Sequence, residues 1–591
     1  MPDVPAASRR RFDYSVPERW RAEIRPGTRI RVPFHGRRVG AWVVEIGVTP
    51  PRGVEVRDLT GVSGWGPPPE VIELAEWGAW RWAMPVATLL RTASPERNVW
   101  ALPAPPSPTG PSGSPPRARP LRAGVTLRRL PPAQDLLPIV LEVIAAVQPS
   151  GSRSARPTGP PGPGRAGRSV LVLVPSTGWA DRLAARLRAR GIEVAASWAE
   201  AAAGWPVVVG SRAAAWAPVP ALGAAVVLDA HDYHDRYDAA DVLVERAERA
   251  GAPCVLVSPC PTAVQRVRYG PPEVPERSAE RSGWPAVRVV DRRGADPRTG
   301  LFSEELVDLA RRVLDAGGRL VCVLNRTGRA RLLACATCGA LALCTVCGRA
   351  AESVDDVLRC RACGAERPIV CGECGSVRTK VLRVGVARAR EELEALLGVP
   401  VGEVSGRPRA PDRAASVPDV PVLIGTEAVL HRARRAAAVA FLDFDQHLLA
   451  PRLAAGEHAL ALIVRAGRLV GGRGGAVRSS LRPGSGGPRG SGVSGVVMVQ
   501  TRLPTHDVLR AAVAGDPGAF TELQLRKELR LPPFSALATV KADTVPVLGH
   551  EGVEVSALGA GRWLVRAPDH RTLCDAVAPL HGGVRVDPDD V

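Results

Sequence analysis

The chain has 591 residues, enough for roughly four domains of about 150 residues each. Apolar residues make up 45% and charged residues 23%, which excludes a wholly disordered chain and supplies several cores. The formal charge is +19, from 78 Lys plus Arg against 59 Asp plus Glu, yet lysine stands only at Lys380, Lys527 and Lys541. So Arg-, Gly-, Pro- and Ala-rich a chain suits a GC-rich genome, and its charge permits a nucleic-acid partner without demanding one. No run of about 18 apolar residues occurs, and Met1–Arg11 lacks an apolar stretch of secretory type; no membrane segment and a cytoplasmic address are expected.

In chain order, residues 12 to about 62 read as short strands. Arg29–Phe34 and Val39–Ile46 alternate or run apolar, with Pro26-Gly27 and His35-Gly36 as turns. From Pro69 to about Thr92 the period becomes helical through Val71, Leu74, Trp77, Trp80 and Trp82, and these Trp residues read as core. Ala104–Pro120 and Pro149–Arg168 are rich in Pro, Gly and Ser, as linkers are. Ser169–Pro175 is a continuous apolar run, suited to a strand buried on both faces, and a helix follows over Trp179–Gly191. Further strands are expected at Val207–Gly210, Ala224–Asp229 and Cys254–Ser258, the rhythm of a doubly wound parallel sheet. A second α/β unit begins at Leu301, with strands at Leu320–Asn325, Val422–Gly425 and Ala438–Asp443. After a Gly-rich stretch, Gly471–Gly492, strands at Val496–Thr501 and Ala536–Lys541 flank a helix near Ala519–Leu529.

Eight of the 12 cysteines form four Cys-x-x-Cys pairs: Cys335/Cys338, Cys344/Cys347, Cys360/Cys363 and Cys371/Cys374. Each pair is followed at once by glycine: Gly339, Gly348, Gly364 and Gly375. Two intervening residues let one tight turn aim both sulfurs at a tetrahedral metal, and the glycine accepts a positive φ. Four pairs imply two zinc ions with closed, structural coordination, whereas a disulfide framework suits a long cytosolic chain poorly. The pairs can combine by nesting, outer with outer and inner with inner, or sequentially. Cys254, Cys260, Cys322 and Cys574 stand alone and read as small buried hydrophobes.

Local motifs resemble a known family. Phe12-Asp13-Tyr14-Ser15-Val16-Pro17, Pro26-Gly27, Arg29-x-Arg31-Val-Pro-Phe34 and Arg38-Val-Gly40 look like the start of the PriA family of bacterial replication-restart helicases. Val323-Leu-Asn325-Arg326-x-Gly328, the cysteine order, Val499-Gln-Thr501, Glu528–Phe534 and Arg562-Trp563 are similar too, so the resemblance covers almost the whole chain. It supports the nested pairing, with Cys335, Cys338, Cys371 and Cys374 on one zinc and Cys344, Cys347, Cys360 and Cys363 on the other. It also implies a multidomain α/β fold: an N-terminal β domain that binds DNA 3′ ends (1–101) and a linker or degenerate winged-helix remnant (102–122). Two RecA-like lobes follow (123–300 and 301–492, the zinc region 335–374 in the second), then a C-terminal α+β domain (493–591).

The departures point to the actinobacterial type of the family, which lacks helicase motifs. A P-loop needs Gly-Lys-Ser/Thr, and none of the three lysines follows a glycine. Where that loop is expected, the chain reads Ala123-Gly124-Val-Thr-Leu-Arg-Arg-Leu-Pro-Pro-Ala133. The Asp-Glu-Glu-His box is Asp229-Ala230-His231-Asp232: Asp229 keeps a magnesium ligand, but the carboxylate that would activate water is Ala230. Ser258–Thr262 replaces motif III, and Ile424-Gly425-Thr426 opens motif V without its lysine. Arg468 is a candidate arginine finger with no evident γ-phosphate to meet, and reads as a solvated or packing side chain. No use of ATP or magnesium is expected.

In the family, the Phe-Asp-Tyr segment lies in a pocket for a DNA 3′ end. Asp13 can accept a hydrogen bond from a free 3′-hydroxyl and repel a phosphate, Phe12 or Tyr14 can stack on a base, and Arg57, with Arg29, Arg31, Arg37 and Arg38, can meet phosphates. Taken locally, the same trio also reads as ordinary strand packing with a capped turn. The resemblance implies a replication-restart protein that binds branched and single-stranded DNA. Its implied partners are single-stranded DNA-binding protein and primosome and helicase-loading proteins. An active 3′–5′ helicase, or a zinc-dependent interaction protein without fork specificity, is the alternative.

Overall fold

The computed structural model describes residues 1–4, 10–50, 53, 56–106, 121–147, 168–233, 235–295, 300–324, 333–346, 348–354, 357–360, 363–381, 385–404, 417–473, 495–559, 561–580 and 582–589. Cys347, Asn325-Arg326-x-Gly328 and most of Ala104–Pro120, Pro149–Arg168 and Gly471–Gly492 lie outside the described residues.

The first sheet is antiparallel, with β1 (Arg29–Phe34) between β2 (Arg37–Trp42) and β3 (Gly61–Gly64). Its hairpin turns at His35-Gly36, both at positive φ, the backbone that matches the twist of a two-residue hairpin. Alternation puts Ile30 and Val32 against Ala41 and Leu59 in a small core. The helical pattern expected through Thr92 is two helices, Pro69–Arg81 and Val86–Ala93. The break falls where Ala83 takes φ 51° and Pro85 withholds a backbone donor. Trp82 is buried in the core there, edge-on to the half-buried Trp77 at 5.3 Å, whereas Trp80, also expected in the core, is half-buried and donates its Nε1–H to Asp575 at 2.8 Å.

The second sheet contains β4 (Val125–Arg129), β5 (Ser169–Leu173), β6 (Val207–Gly210), β7 (Leu222–Leu228) and β8 (Cys254–Ser258), in the order β4-β8-β7-β5-β6. From β6 through β5 and β7 to β8 all pairings are parallel. Every residue of β5, β7 and β8 is buried, as continuous apolar runs require when helices cover both faces. The third sheet starts with β9 (Ala286–Asp291) and β10 (Leu320–Val323). The cysteine insert follows: β11 (Leu333–Cys335) pairs with β15 (Thr379–Val381), and between them β12 (Ala351–Val354), β13 (Val357–Cys360) and β14 (Glu366–Pro368) form a small meander. The sheet resumes with β16 (Val401–Val404), β17 (Val422–Gly425), β18 (Ala438–Phe441) and β19 (Val496–Thr501), in the all-parallel order β16-β17-β10-β18-β19-β9. The last sheet is antiparallel, β21 (Glu554–Gly559), β22 (Arg562–Ala567), β20 (Ala536–Lys541) and β23 (Val584–Val586), and packs on helix His570–Val577.

Two compact units result. One holds Met1–Arg128, Leu136–Glu273 and Gln524–Pro588; the other holds Arg129–Asp135, Val274–Leu523 and Asp589–Val591. The expected boundaries at 300/301 and 492/493 therefore need correction. Those boundaries put strand β9 with the first lobe and β19 with the C-terminal domain, but the two strands pair with each other and complete the third sheet. An apolar run announces a strand, not its partner. The helix expected near Ala519–Leu529 is a short turn at Pro517–Ala519 and a helix at Leu523–Glu528.

Within the first unit, a buried ion pair ties the C-terminal segment to helix Pro69–Arg81: Arg81 Nη2 donates to Asp587 Oδ2 at 2.8 Å, and the Arg81 side chain is only 8% exposed. Burial alone would raise the Asp587 carboxyl, but Arg81 and His570 outweigh it and hold it well below the usual carboxylate range. Among the described residues no helix is long and apolar enough to cross a membrane.

Candidate metal centre and nucleic-acid interface

The four cysteine turns share one backbone design. The N–H of Gly339, Gly348, Gly364 and Gly375 returns to the carbonyl of the leading cysteine at 3.0, 3.0, 2.9 and 3.0 Å. Each leading cysteine N–H reaches the carbonyl five residues on, at 2.7 to 2.9 Å. The glycines take φ of 77°, 70°, 73° and 72°. A Cβ at any of them would meet nothing within 4 Å, so the left-handed backbone alone selects glycine.

Folding brings Cys335, Cys338, Cys371 and Cys374 together, every sulfur within 4.8 Å of the others, so the grouping is nested and not sequential. Cys335 and Cys374 sulfurs lie 3.6 Å apart, as do those of Cys338 and Cys371, near the roughly 3.8 Å edge of a zinc–sulfur tetrahedron. Cys344, Cys360 and Cys363 form the second group, with 3.5 Å between Cys344 and Cys363; Cys347, its expected fourth ligand, lies outside the described residues. Both groups could hold a metal ion, and all-thiolate donors suit zinc. The backbone N–H of Cys338, then that of Thr337, draws the Cys335 thiol down to about 6, while the thiols of Cys338 and Cys374 are pushed up by the neighbouring sulfurs, as expected where several thiols share one site without a cation.

In the first unit, Ser15 bridges Asp58 in parallel register. Its N–H donates to Arg57 O at 3.0 Å, and Leu59 N–H donates to Ser15 O at 3.1 Å, which sets the Phe12–Tyr14 segment beside Arg57. The Tyr14 hydroxyl donates to Pro33 O at 3.1 Å, and its ring packs on the Ile30–Val32 core. Burial raises the Tyr14 hydroxyl against the opposing charge of Arg57. Tyr14 is thus an anchor, and Phe12, 38% exposed, is the ring left at the surface. Phe12 stands edge-on to Phe34 at 5.2 Å, and Phe34 to His35 at 4.5 Å. Phe34 and His35 join this group through the hairpin turn, which a strand-and-turn reading locates without assigning it a role. Asp13, Arg31, Arg37, Arg38 and Arg57 are exposed. Arg29 and Arg38 each donate to a backbone carbonyl, of Pro95 at 3.0 Å and of Thr60 at 2.6 Å.

The segment expected to carry a P-loop is strand β4 followed by Leu130–Leu136. Arg128 forks onto Glu142, with both nitrogen–oxygen distances 3.2 Å, and its Nε donates to Glu273 at 3.1 Å. In the second unit Arg129 sits against Glu280, Nε to Oε1 2.8 Å and Nη2 to Oε2 2.9 Å. Arg468 Nη1 donates to Pro132 O at 2.8 Å. Pro131 and Pro132 press on glycine backbone: a Cβ at Gly283 would stand 2.5 Å from Pro131 Cγ, and one at Gly467 3.1 Å from Pro132 Cβ. Asp229, 5% exposed with φ 53°, ends β7; beside it Gln265 Nε2 donates to Ala230 O at 2.8 Å, and His231 Nδ1 lies 2.9 Å from Ser258 Oγ.

Residues 3–95 match the model of the PriA 3′ DNA-binding domain. The Haemophilus influenzae replication restart protein PriA is 28% identical over 419 residues, 64% of this chain and 55% of that protein. The Bacillus subtilis protein of the same name is 26% identical over 67% of this chain and 51% of its own length, so the chain spans about half the length of these relatives. The Mycobacterium tuberculosis probable replication restart protein PriA is 28% identical over 606 residues, 91% of this chain and 86% of that protein. Among solved structures, Saccharomyces cerevisiae Dbp5 bound to RNA and ADP BeF3 is 14% identical over 69% of this chain and 88% of that one, with a TM-score of 0.37.

Proposed function

The chain belongs to the PriA family, and from that premise we propose that it binds abandoned replication forks at DNA 3′ ends and promotes reloading of the replicative helicase without turning over ATP itself. The observation that carries this reading is a contrast in surface groups. At the N-terminal domain, Phe12, Asp13 and Arg57 remain at the surface, with a ring for a base, a carboxylate for a 3′-hydroxyl and a cation for a phosphate. In the segment Gly124–Leu136, no lysine stands and both arginines are taken by carboxylates. Phosphoryl transfer depends on positioning and neutralising phosphate charge, and that segment offers neither. The zinc-type insert and the C-terminal domain are the proposed contact surfaces for single-stranded DNA-binding protein and helicase loaders.

Phosphate release with forked DNA is expected to stay at background. Forks with a 3′-hydroxyl at the branch should bind more tightly than 3′-phosphate forks, and Asp13→Ala should shrink that difference by about tenfold, one charge-assisted hydrogen bond. Robust turnover abolished by Asp229→Ala overturns the first half of the proposal. Equal affinity for the two forks overturns the second.

A further inference from the structure

The all-parallel third sheet gathers a set of metal-ligating side chains that is separate from the cysteines. Glu427 follows the carboxyl end of β17, at the start of helix Ala428–Arg432. His447 lies in the short helix Asp445–Leu448 after β18, and His458 in the first turns of helix Ala455–Val470. Strands β17 and β18 flank β10 on opposite sides, so both loops leave the same edge of the sheet. The outside of the carboxyl ends of such strands is where open α/β sheets bind ligands.

The three side chains converge, one potential ligand atom from each lying within 4.8 Å of the others. Glu427 Oε1 is 3.5 Å from His447 Nδ1, and Glu427 Oε2 is 3.4 Å from His458 Nε2. Those separations are long for hydrogen bonds, whose usual limit is about 3.2 Å. Each, taken to a different carboxylate oxygen, is close to the roughly 3.3–3.6 Å edge of a tetrahedron with metal–ligand bonds of 2.0–2.2 Å. His458 Nε2 is buried and faces the Glu427 carboxylate only at that long range, so neither group is well satisfied by the other. His447 is only 2% exposed, walled by Phe441 and Phe444 at 6.1 and 5.4 Å between ring centroids. Arg452 also acts on Glu427 and His447, and its Nε lies 3.6 Å from Asp589, so that cation is partly offset.

We propose that Glu427, His447 and His458 bind a divalent transition-metal ion of the Zn2+ class. Two imidazoles select against Mg2+ and Ca2+, which prefer oxygen donors. Three protein ligands leave one position for water or for a ligand from outside the chain. The ion clips the segments after β17 and β18 to helix Ala455–Val470. The site is independent of the thiolates and of the proposed role at forks, and spacings of 20 and 11 residues between its ligands give it no motif.

The test is Zn2+ uptake by the full chain in competition with a chromophoric chelator. Wild type should take up about one equivalent beyond the thiolate-bound metal. His458→Ala, at a partly exposed position, and the near-isosteric Glu427→Gln should each lose that equivalent. Their thiolate-to-metal charge-transfer band after Co2+ substitution should be unchanged, which reads the cysteine sites and their fold separately. Wild type that takes up no metal beyond the thiolate sites, or variants that take up as much as wild type with that band intact, would overturn the proposal.

Discussion

The cysteine insert and the segment Gly124–Leu136 treat their reactive groups in opposite ways. In the insert, four sulfurs crowd together, Cys335 Sγ facing the Thr337 N–H at 3.4 Å, and the four turns use their backbone hydrogen bonds to aim them. In the other segment every cation is consumed: Arg128 by Glu142 and Glu273, Arg129 by Glu280, and the Arg468 that faces Pro132 by its carbonyl. Clustered donors that nothing in the chain neutralises await an external partner, because several thiolates at such range repel unless a cation sits among them. Charges already paired inside the fold must break those contacts before they can bind a phosphate, and breaking them is costly where the partner is buried.

The largest effect is expected at the cysteine groups. Stripping zinc with a strong chelator, or Cys335→Ser with Cys371→Ser, should unfold the insert, since structural zinc contributes on the order of 10 kcal/mol to small thiolate modules. Limited proteolysis should then cut between Leu333 and Val381 in the stripped protein and spare the loaded one. An insert equally resistant in both states would put its stability in its small core instead.

A smaller effect sharpens the other side. Arg129→Ala leaves Glu280, 2% exposed, without its main counter-charge, and should lower stability by about 3 kcal/mol. Burial already raises the Glu280 carboxyl against the pull of Arg129, so removing that pull should raise it further. Arg129→Met combined with Glu280→Gln should recover most of the loss in thermal melts. A mild single mutant would mean that the arginine is available for other work.

The smallest effect is expected at Arg468. Arg468→Ala removes one hydrogen bond to Pro132 and should cost about 1–2 kcal/mol in melting experiments, with phosphate release unchanged at background. If Arg468 were a working arginine finger, the same change would cut turnover by about 10³-fold or more.

Features whose chemistry is local can be read from the residues alone. The cysteine turns, with glycine after each pair, are legible because two-residue spacing and positive φ belong to adjacent residues. The buried strands Cys254–Ser258, Val422–Gly425 and Val496–Thr501 are legible because their period of burial is written in the run itself. The absence of a lysine after any glycine is a fact of the chain alone. Strand partners were settled by packing, which places β9 beside β19 across about 200 residues and brings the first and last cysteine pairs together. It also turned Tyr14 inward while leaving Phe12 outside, and brought Glu427, His447 and His458 to one point. Those outcomes depend on distances between residues far apart along the chain, which packing sets and no local pattern encodes.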